Sequence, residues 1–287
     1  MKLVAWVSIA SVALTSSADA ADKIARTPDG KPDLNGIWQT MGSAHWNLEP
    51  HNAVAGPVTE MGALGAIPGG LGVVEGGRIP YRPEAAKQRD ENKANWLERD
   101  PLVKCYLPGV PRATYLPHPF QIVQEPNTLL ITYEFAGADR IVYMNRPGSQ
   151  AQVDSWMGYN LGRWEGDTLV IDVTGQMPES WLDSAGNFHG ANTKVQERYT
   201  PAGVNVLMYE ATIADPDVFT RPWKISMPLY RRLDKNMQLL DFKCVEFVEE
   251  LLYGKYRKAA AQQLQPDQIS GQSRNSPRTP RLESSSL

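Results

Sequence analysis

The segment 181–190 concentrates side chains that can carry proton-transfer chemistry. It places Asp183, Phe188 and His189 close together, with glycine on both sides of the histidine. An imidazole exchanges a proton near neutral pH, and a nearby carboxylate orients it or holds it charged. We therefore predict His189 as the catalytic residue and Asp183 as the residue that orients it. The competing interpretation is that His189 caps a strand end or lies in solvent, while Asp183 makes an Asx turn.

Arg112, Tyr115 and His118 recur at intervals of three residues in the proline-rich segment 104–120. We predict that this segment is extended and partly polyproline-like, which puts the three side chains on one side. Arg112 would bind a carboxylate or phenolate of the substrate, and Tyr115 and His118 would pass a proton. The alternative is that the segment wraps the domain, with Tyr115 packed inside and Arg112 in a surface ion pair.

Three carboxylates alternate with apolar residues in predicted strands: Glu134, Asp172 and Glu210. If their side chains face a cavity, burial raises their pKa values and makes each a candidate general base. If they face water, they belong to the outer face of a one-sided sheet. Trp46 and Trp181 fall in loops, where their rings are free to stack on an aromatic ligand, so we predict both as substrate-binding residues.

Several familiar catalytic patterns are missing from the sequence. It has no nucleophile elbow, no zinc-protease helix motif and no phosphate-binding loop, and the glycines near Gly70 do not match the dinucleotide fingerprint. The four histidines, His45, His51, His118 and His189, have no helix or hairpin ligand spacing. We predict no cofactor and no metal, with a metal site built from distant histidines as the alternative.

The N-terminus has the pattern of a secretory signal peptide. Lys2 precedes an apolar run over residues 3–14, and Ala18 and Ala20 form a small-x-small cleavage site. The run is shorter than the roughly 20 residues of a membrane-spanning helix. We therefore predict cleavage after Ala20 and a periplasmic or secreted protein. Export exposes thiols to oxidation, and the two cysteines, Cys105 and Cys244, are predicted to form a disulfide.

The chain has 287 residues and a formal net charge of −3, with charges scattered along it. Such a chain is a poor nucleic-acid binder, and no segment reads as a membrane span in the mature protein. The expected partner is a small hydrophobic or aromatic ligand. Neither the oligomeric state nor the substrate follows from the sequence.

The middle of the chain is dominated by short segments with a period of two, which indicates an antiparallel β meander. Predicted strands cover residues 37–40, 120–125, 129–135, 140–145, 155–164, 168–174, 193–199, 205–214, 219–231 and 237–243. Helices are predicted near 83–99 and 244–260, a glycine-rich loop over 53–80 and a disordered tail over 261–287. A single domain over 21–260 is expected. Because a long meander must dispose of its edges, we predict that it closes into a barrel.

Gly36, Ile37 and Trp38 at the first predicted strand resemble the Gly-x-Trp start of lipocalin-like (calycin) barrels. This resemblance implies a cup with an internal site for a small apolar molecule. The stretches 32–38, 162–170 and 220–223 are also similar to those of a large group of exported bacterial proteins. No activity and no site residue are carried over from that group.

Together these features predict an exported, cofactor-independent enzyme that acts on a small apolar or aromatic molecule. The available side chains suit acid–base reactions of the lyase, isomerase or cyclase type. One alternative is a non-catalytic, lipocalin-like carrier of a small hydrophobic ligand. Another is an interaction protein of the cell envelope.

Overall fold

The computed structural model describes residues 24–56, 62–63 and 66–245. The predicted signal peptide (1–20) and the predicted tail (261–287) lie outside these residues. The predicted helix near 244–260 also lies outside them, except for Cys244 and Val245, which belong to no helix.

Nine strands form a closed barrel, as the period-two segments predict. They are β1 (Gly36–Thr40), β2 (Phe120–Glu125), β3 (Thr128–Tyr133), β4 (Asp139–Met144), β5 (Tyr159–Glu165), β6 (Thr168–Thr174), β7 (Lys194–Gly203), β8 (Val206–Ala214) and β9 (Trp223–Arg231). Alternate residues point inward, as on β8, where Leu207, Tyr209 and Ala211 are fully buried. The mainly β fold class and the barrel closure are confirmed.

The barrel departs from a simple meander at one pair of strands, because β4 and β5 run parallel. All other neighbouring pairs are antiparallel, including β1 with β9, which closes the barrel. A parallel pair needs a connection that returns to the starting end, and residues 145–158 supply it. Closure between β1 and β9 leaves no edge for a further strand, so the strand predicted over 237–243 is wrong.

The long connection between β1 and β2 carries the helices. The helix predicted over 83–99 is present as α1 (Pro83–Ala94) and α2 (Trp96–Arg99), with a break at Asn95. Pro83 occupies the first turn, where its missing N–H costs no hydrogen bond. In the glycine-rich stretch 53–80, the described residues form loops with isolated backbone bridges, such as Val54 with Ile67.

The extended conformation predicted for residues 104–120 is wrong in its middle. Arg112–Tyr115 form a helical turn, α3, and Pro101–Lys104 form a 3-10 helix at the start of the segment. Pro111 stands directly before α3, and the Ala113 N–H donates to Gly109 O at 3.0 Å. A proline is tolerated at a helix start, so here the prolines begin turns instead of extending the chain.

A hydrogen-bonded polar cluster occupies the barrel interior. The guanidinium of Arg140 on β4 donates to both carboxylate oxygens of Glu197 on β7, and neither side chain is exposed to solvent. Tyr199 and Tyr209 both donate their hydroxyls to Glu197, at 3.0 and 2.8 Å. Asn160 on β5 accepts from Arg140 at 3.0 Å. These contacts link four strands across the interior.

Candidate functional site

The candidate site is a cavity of about 530 Å³ at the end of the barrel. Loops and helices line it, while the strands only lead into them. Its wall contains His45, Trp46, Trp96, Asp100, Leu102, Val103, Arg112, Leu116, Pro117, His118, Phe135, Ser184, Phe242, Lys243, Cys244 and Val245. We call it the aromatic cavity. Of the sequence-predicted site residues, it brings together Trp46, Arg112 and His118.

Arg112 reaches the cavity from α3 as half of a buried ion pair. Its two terminal nitrogens each donate to one oxygen of Asp100 at 2.7 Å, and one also donates to Ser184 Oγ at 3.0 Å. Burial opposes the charge on Arg112, but Asp100 keeps the pKa of the guanidinium above its ordinary value. Asp100 also accepts from the Leu102 N–H, which fixes the start of the 3-10 helix. The charge of Arg112 is therefore already neutralised by the protein.

His45, which the sequence analysis did not select, lies next to this pair in the cavity wall. Its Nδ1 is buried and has no hydrogen-bond partner in the described part of the chain. Burial, followed by the charges of Arg112, His118 and His51, lowers the pKa of His45 to about 4. At neutral pH the ring is therefore uncharged.

His118 forms a carboxylate–imidazole pair with Glu134 in the opposite part of the wall. Its Nδ1 lies 3.4 Å from Glu134 Oε1, and its side chain is 26% exposed. Glu134 does not lie within a strand as predicted, but in the turn directly after β3. Its other oxygen accepts from the Leu240 N–H at 2.8 Å, so Glu134 also holds the C-terminal segment in place.

Aromatic rings make up much of the remaining surface. Trp46 and Trp96 meet edge to face at 6.1 Å, and Phe135 and Phe242 stack at 5.2 Å. Phe242 also lies 4.8 Å from the ring of His118. Such rings favour flat apolar ligands.

The disulfide predicted between Cys105 and Cys244 is present. Cys244 belongs to the cavity wall, and Cys105 directly follows the 3-10 helix that contributes Leu102 and Val103 to that wall. The bond therefore ties the C-terminal segment, which carries Phe242, to the opposite side of the cavity.

His189 is 2% exposed, and both of its ring nitrogens are satisfied. Since a carbonyl can only accept, Nδ1 donates to Gly190 O at 3.0 Å, and Nε2 accepts from Ser180 Oγ at 2.8 Å. Burial lowers the pKa of His189. The structure does not bring His189 together with Arg112 and His118 in the aromatic cavity.

Asp183 is fully buried and binds backbone groups instead of His189. It accepts from the N–H groups of Leu48, Ala185 and Asn187. The bond to Ala185, two residues on, is an Asx turn, which was the competing interpretation. Burial raises the pKa of Asp183 to about 6, against the pull of its N–H donors. Asp183 thus organises the loop and does not orient the imidazole.

The remaining predicted site residues also lie away from the cavity. Tyr115 is fully buried and donates its hydroxyl to Leu182 O at 2.6 Å, and Trp181 is 7% exposed. Asp172 and Glu210 point outward from the barrel, where they pair with Arg163 and Lys224. This is the outer-face alternative for both carboxylates.

Within the described residues, no group of three or more histidine, cysteine, aspartate or glutamate side chains is arranged to hold a metal ion. The helices described here are all too short or too polar to cross a bilayer. Comparison of the sequence with known protein families and with curated proteins finds no match.

Proposed function

We propose that this protein binds a small, uncharged aromatic molecule in the aromatic cavity and that His118 transfers a proton to or from it. The observation that carries the proposal is the pairing of His118 with Glu134 inside a wall built from tryptophan and phenylalanine rings. The proposed reaction class is an elimination or isomerisation without a cofactor.

The paired charges argue for an uncharged ligand. Arg112 is neutralised by Asp100, His45 is uncharged at neutral pH, and the lining Lys243 pairs with Asp241. A ligand that brought its own charge into this wall would lose hydration without gaining an unpaired counter-charge. A hydroxyl or carbonyl group on an otherwise apolar ligand, in contrast, loses less hydration than a charge does.

The roles of His118 and Glu134 follow from their geometry. With Nδ1 of His118 directed at the carboxylate, Nε2 is the nitrogen that remains for proton exchange. Glu134 stabilises the imidazolium that forms when His118 takes up a proton. His118 therefore replaces His189 as the proposed proton-transfer residue, and Glu134 supports it.

The test uses neutral phenols and aryl ketones as probes. Quenching of tryptophan fluorescence reports binding, because Trp46 and Trp96 lie in the wall. Proton NMR in deuterated water then reports exchange of carbon-bound hydrogens in each probe that binds. We expect His118→Gln to slow this exchange about 10²–10⁴-fold with little change in affinity. Glu134→Gln should slow the exchange less than His118→Gln does and should shift the pH profile of the exchange. The glutamine side chain can still accept from the Leu240 N–H.

Two histidine variants serve as controls. His51→Gln changes a histidine just before the glycine-rich stretch, whose ring nitrogens lie near Glu49 O and Pro68 O, so it should leave exchange unchanged. His189→Gln tests the competing site. Loss of exchange in His189→Gln, with normal rates in His118→Gln, would contradict the assignment.

The second candidate function is a carrier that binds the same class of ligand without turnover. The pairing of Arg112 with Asp100 favours it, because a wall of aromatic rings whose arginine is already paired is sufficient for binding. Binding of probes without any hydrogen exchange by the wild-type protein would establish the carrier. Absence of binding would overturn both candidates.

We also propose that the protein is exported. The Cys105–Cys244 disulfide supports this, since such bonds persist in oxidising compartments.

A further inference from the structure

A second cavity lies between the start of α1 and the loops before it, with a volume of about 820 Å³. We call it the arginine cavity, because Arg78, Arg89 and Arg221 all line it, with Glu49 as the one carboxylate in its wall. We propose that it binds a small anion that carries two or more phosphate or carboxylate groups. This inference is independent of the function proposed for the aromatic cavity.

Two of the three arginines have charges that no described carboxylate neutralises. Arg78 and Arg221 are both exposed, and neither forms an ion pair within the described residues. The only hydrogen bond found for Arg221 there is to the backbone oxygen of Pro222, at 3.2 Å. Elsewhere on this surface arginines such as Arg163 and Arg198 bind carboxylates. Arg78 and Arg221 therefore remain available to a ligand from solution.

Arg89 forms the fixed wall of the arginine cavity. Its side chain is 22% exposed and lies 5.5 Å from the ring of Tyr81. It also contacts Glu49 at 3.6 Å and Asp90 at 2.7 Å. Glu49 in turn accepts from the Ile79 N–H at 2.8 Å, which keeps this carboxylate at the wall. Arg89 is therefore held in one position, while Arg78 and Arg221 provide the uncompensated charge.

The chemistry of the guanidinium group defines the ligand class. Each planar fork matches the two oxygens of a carboxylate or phosphate, and the two unpaired forks of Arg78 and Arg221 at one cavity suit an anion with two or more such groups. The three arginines of the lining face two carboxylates, Glu49 and Asp90, both of which pair with Arg89, although the whole chain has a net charge of −3. Positive charge is thus concentrated here against the overall balance. A concave site of one sign of charge raises the local concentration of its counter-ion.

The test is isothermal titration calorimetry of the full chain at low salt with pyrophosphate, citrate and inorganic phosphate as separate probes. We expect pyrophosphate or citrate to bind and inorganic phosphate to bind more weakly, with affinities that fall as salt is added. The stronger of the two identifies the source as a phosphorylated or a carboxylated compound. Arg78→Gln and Arg221→Gln should each weaken that binding about tenfold, since each removes charge-assisted hydrogen bonds.

Arg82→Gln is the matched control. Arg82 is close in sequence but donates to Pro216 O and does not line the cavity, so the variant removes the same charge without changing the wall. Its affinity should equal that of the wild type. The proposal would be overturned if no probe bound. It would also be overturned if Arg82→Gln weakened binding as much as Arg78→Gln or Arg221→Gln does, because the attraction would then be unspecific. His118→Gln should bind the anion normally, which keeps this test separate from that of the aromatic cavity.

Discussion

Two buried arginine–carboxylate pairs differ in what surrounds them. Arg140 and Glu197 lie inside the barrel with neither side chain exposed, and Arg112 and Asp100 lie behind the aromatic cavity at 1% and 2% side-chain exposure. Each pair is bidentate. The first is enclosed by further hydrogen bonds from tyrosines, whereas the second borders a ring nitrogen that has no partner, Nδ1 of His45.

The difference separates a structural pair from a pair at a candidate site. Around Glu197 the hydroxyls of Tyr199 and Tyr209 add two further hydrogen bonds, so the cluster holds strands together, although Nε of Arg140 has no partner within the described residues. Both pairs leave Nε of their arginine without a partner within the described residues, so an unpartnered atom does not distinguish them. Their position does, because Arg112 and Asp100 line the cavity at the barrel end, while the Arg140 cluster occupies the barrel itself.

The largest expected effect comes from breaking the pair inside the barrel. Glu197→Gln leaves the charge of Arg140 buried without a counter-charge, which should lower the free energy of unfolding by about 3–5 kcal/mol. Chemical denaturation measures it. The control is Glu210→Gln on the adjacent strand, where the carboxylate faces outward and pairs with Lys224, and a loss of about 0–1 kcal/mol is expected there.

If the two glutamate variants lost equal stability, the barrel cluster would have no special structural role. The comparison between the two buried pairs would then fail.

The barrel could be predicted from the sequence because the alternation of apolar and polar residues is a local pattern within each strand. The sequence of strand β7 also carries a signal for Glu197. The side chain of Glu197 lies on the same side of the strand as those of Val195 and Tyr199, whereas Gln196 and Arg198 point outward. A carboxylate on the apolar face of a strand predicts a buried partner. For Asp172 and Glu210 the sequence alone leaves both faces open, and the structure places them on the outer face.

The aromatic cavity could not be predicted in the same way. Its wall combines Arg112 and His118 with His45 and Phe242, so it draws on three stretches that are far apart in the chain. No periodic pattern connects such residues, since only the closed barrel brings their loops to one end. The sequence favours the His189 loop because its candidate catalytic residues are close together in the chain. In the structure, however, Asp183 of this loop makes an Asx turn.

The next largest effect is expected from the titration of His45 in the cavity wall. The pKa of His45 falls from 6.5 to about 4 on folding, so the unfolded chain takes up a proton in this range that the folded protein does not. The stability due to His45 is therefore present above pH 6.5 and is lost as the pH falls to 4. The loss should amount to about 2–3 kcal/mol. Denaturation curves measured between these pH values test it.

His45→Gln isolates this effect, since it removes the titrating ring. The pKa of Asp183 is raised to about 6 by burial, which acts in the opposite direction, and that of buried His189 is lowered, which acts in the same direction. Both residues remain in the variant, so the difference between the two pH profiles belongs to His45. Parallel profiles would show that His45 protonates freely in the folded protein.

The smallest expected effect compares two buried tyrosine hydroxyls, one in the barrel cluster and one on α3, the helical turn that carries Arg112. Tyr209→Phe removes a hydrogen bond to the charged Glu197 and should cost about 1.5–3 kcal/mol, whereas Tyr115→Phe removes a bond to the neutral Leu182 O and should cost about 0.5–1.5 kcal/mol. Both tyrosines are fully buried and lose the same atom, so the difference reports the acceptor. In the Glu197→Gln background the cost of Tyr209→Phe should fall, because the acceptor is then neutral, while that of Tyr115→Phe should not change. An unchanged cost of Tyr209→Phe in that background would mean that the barrel cluster gains nothing from its charge.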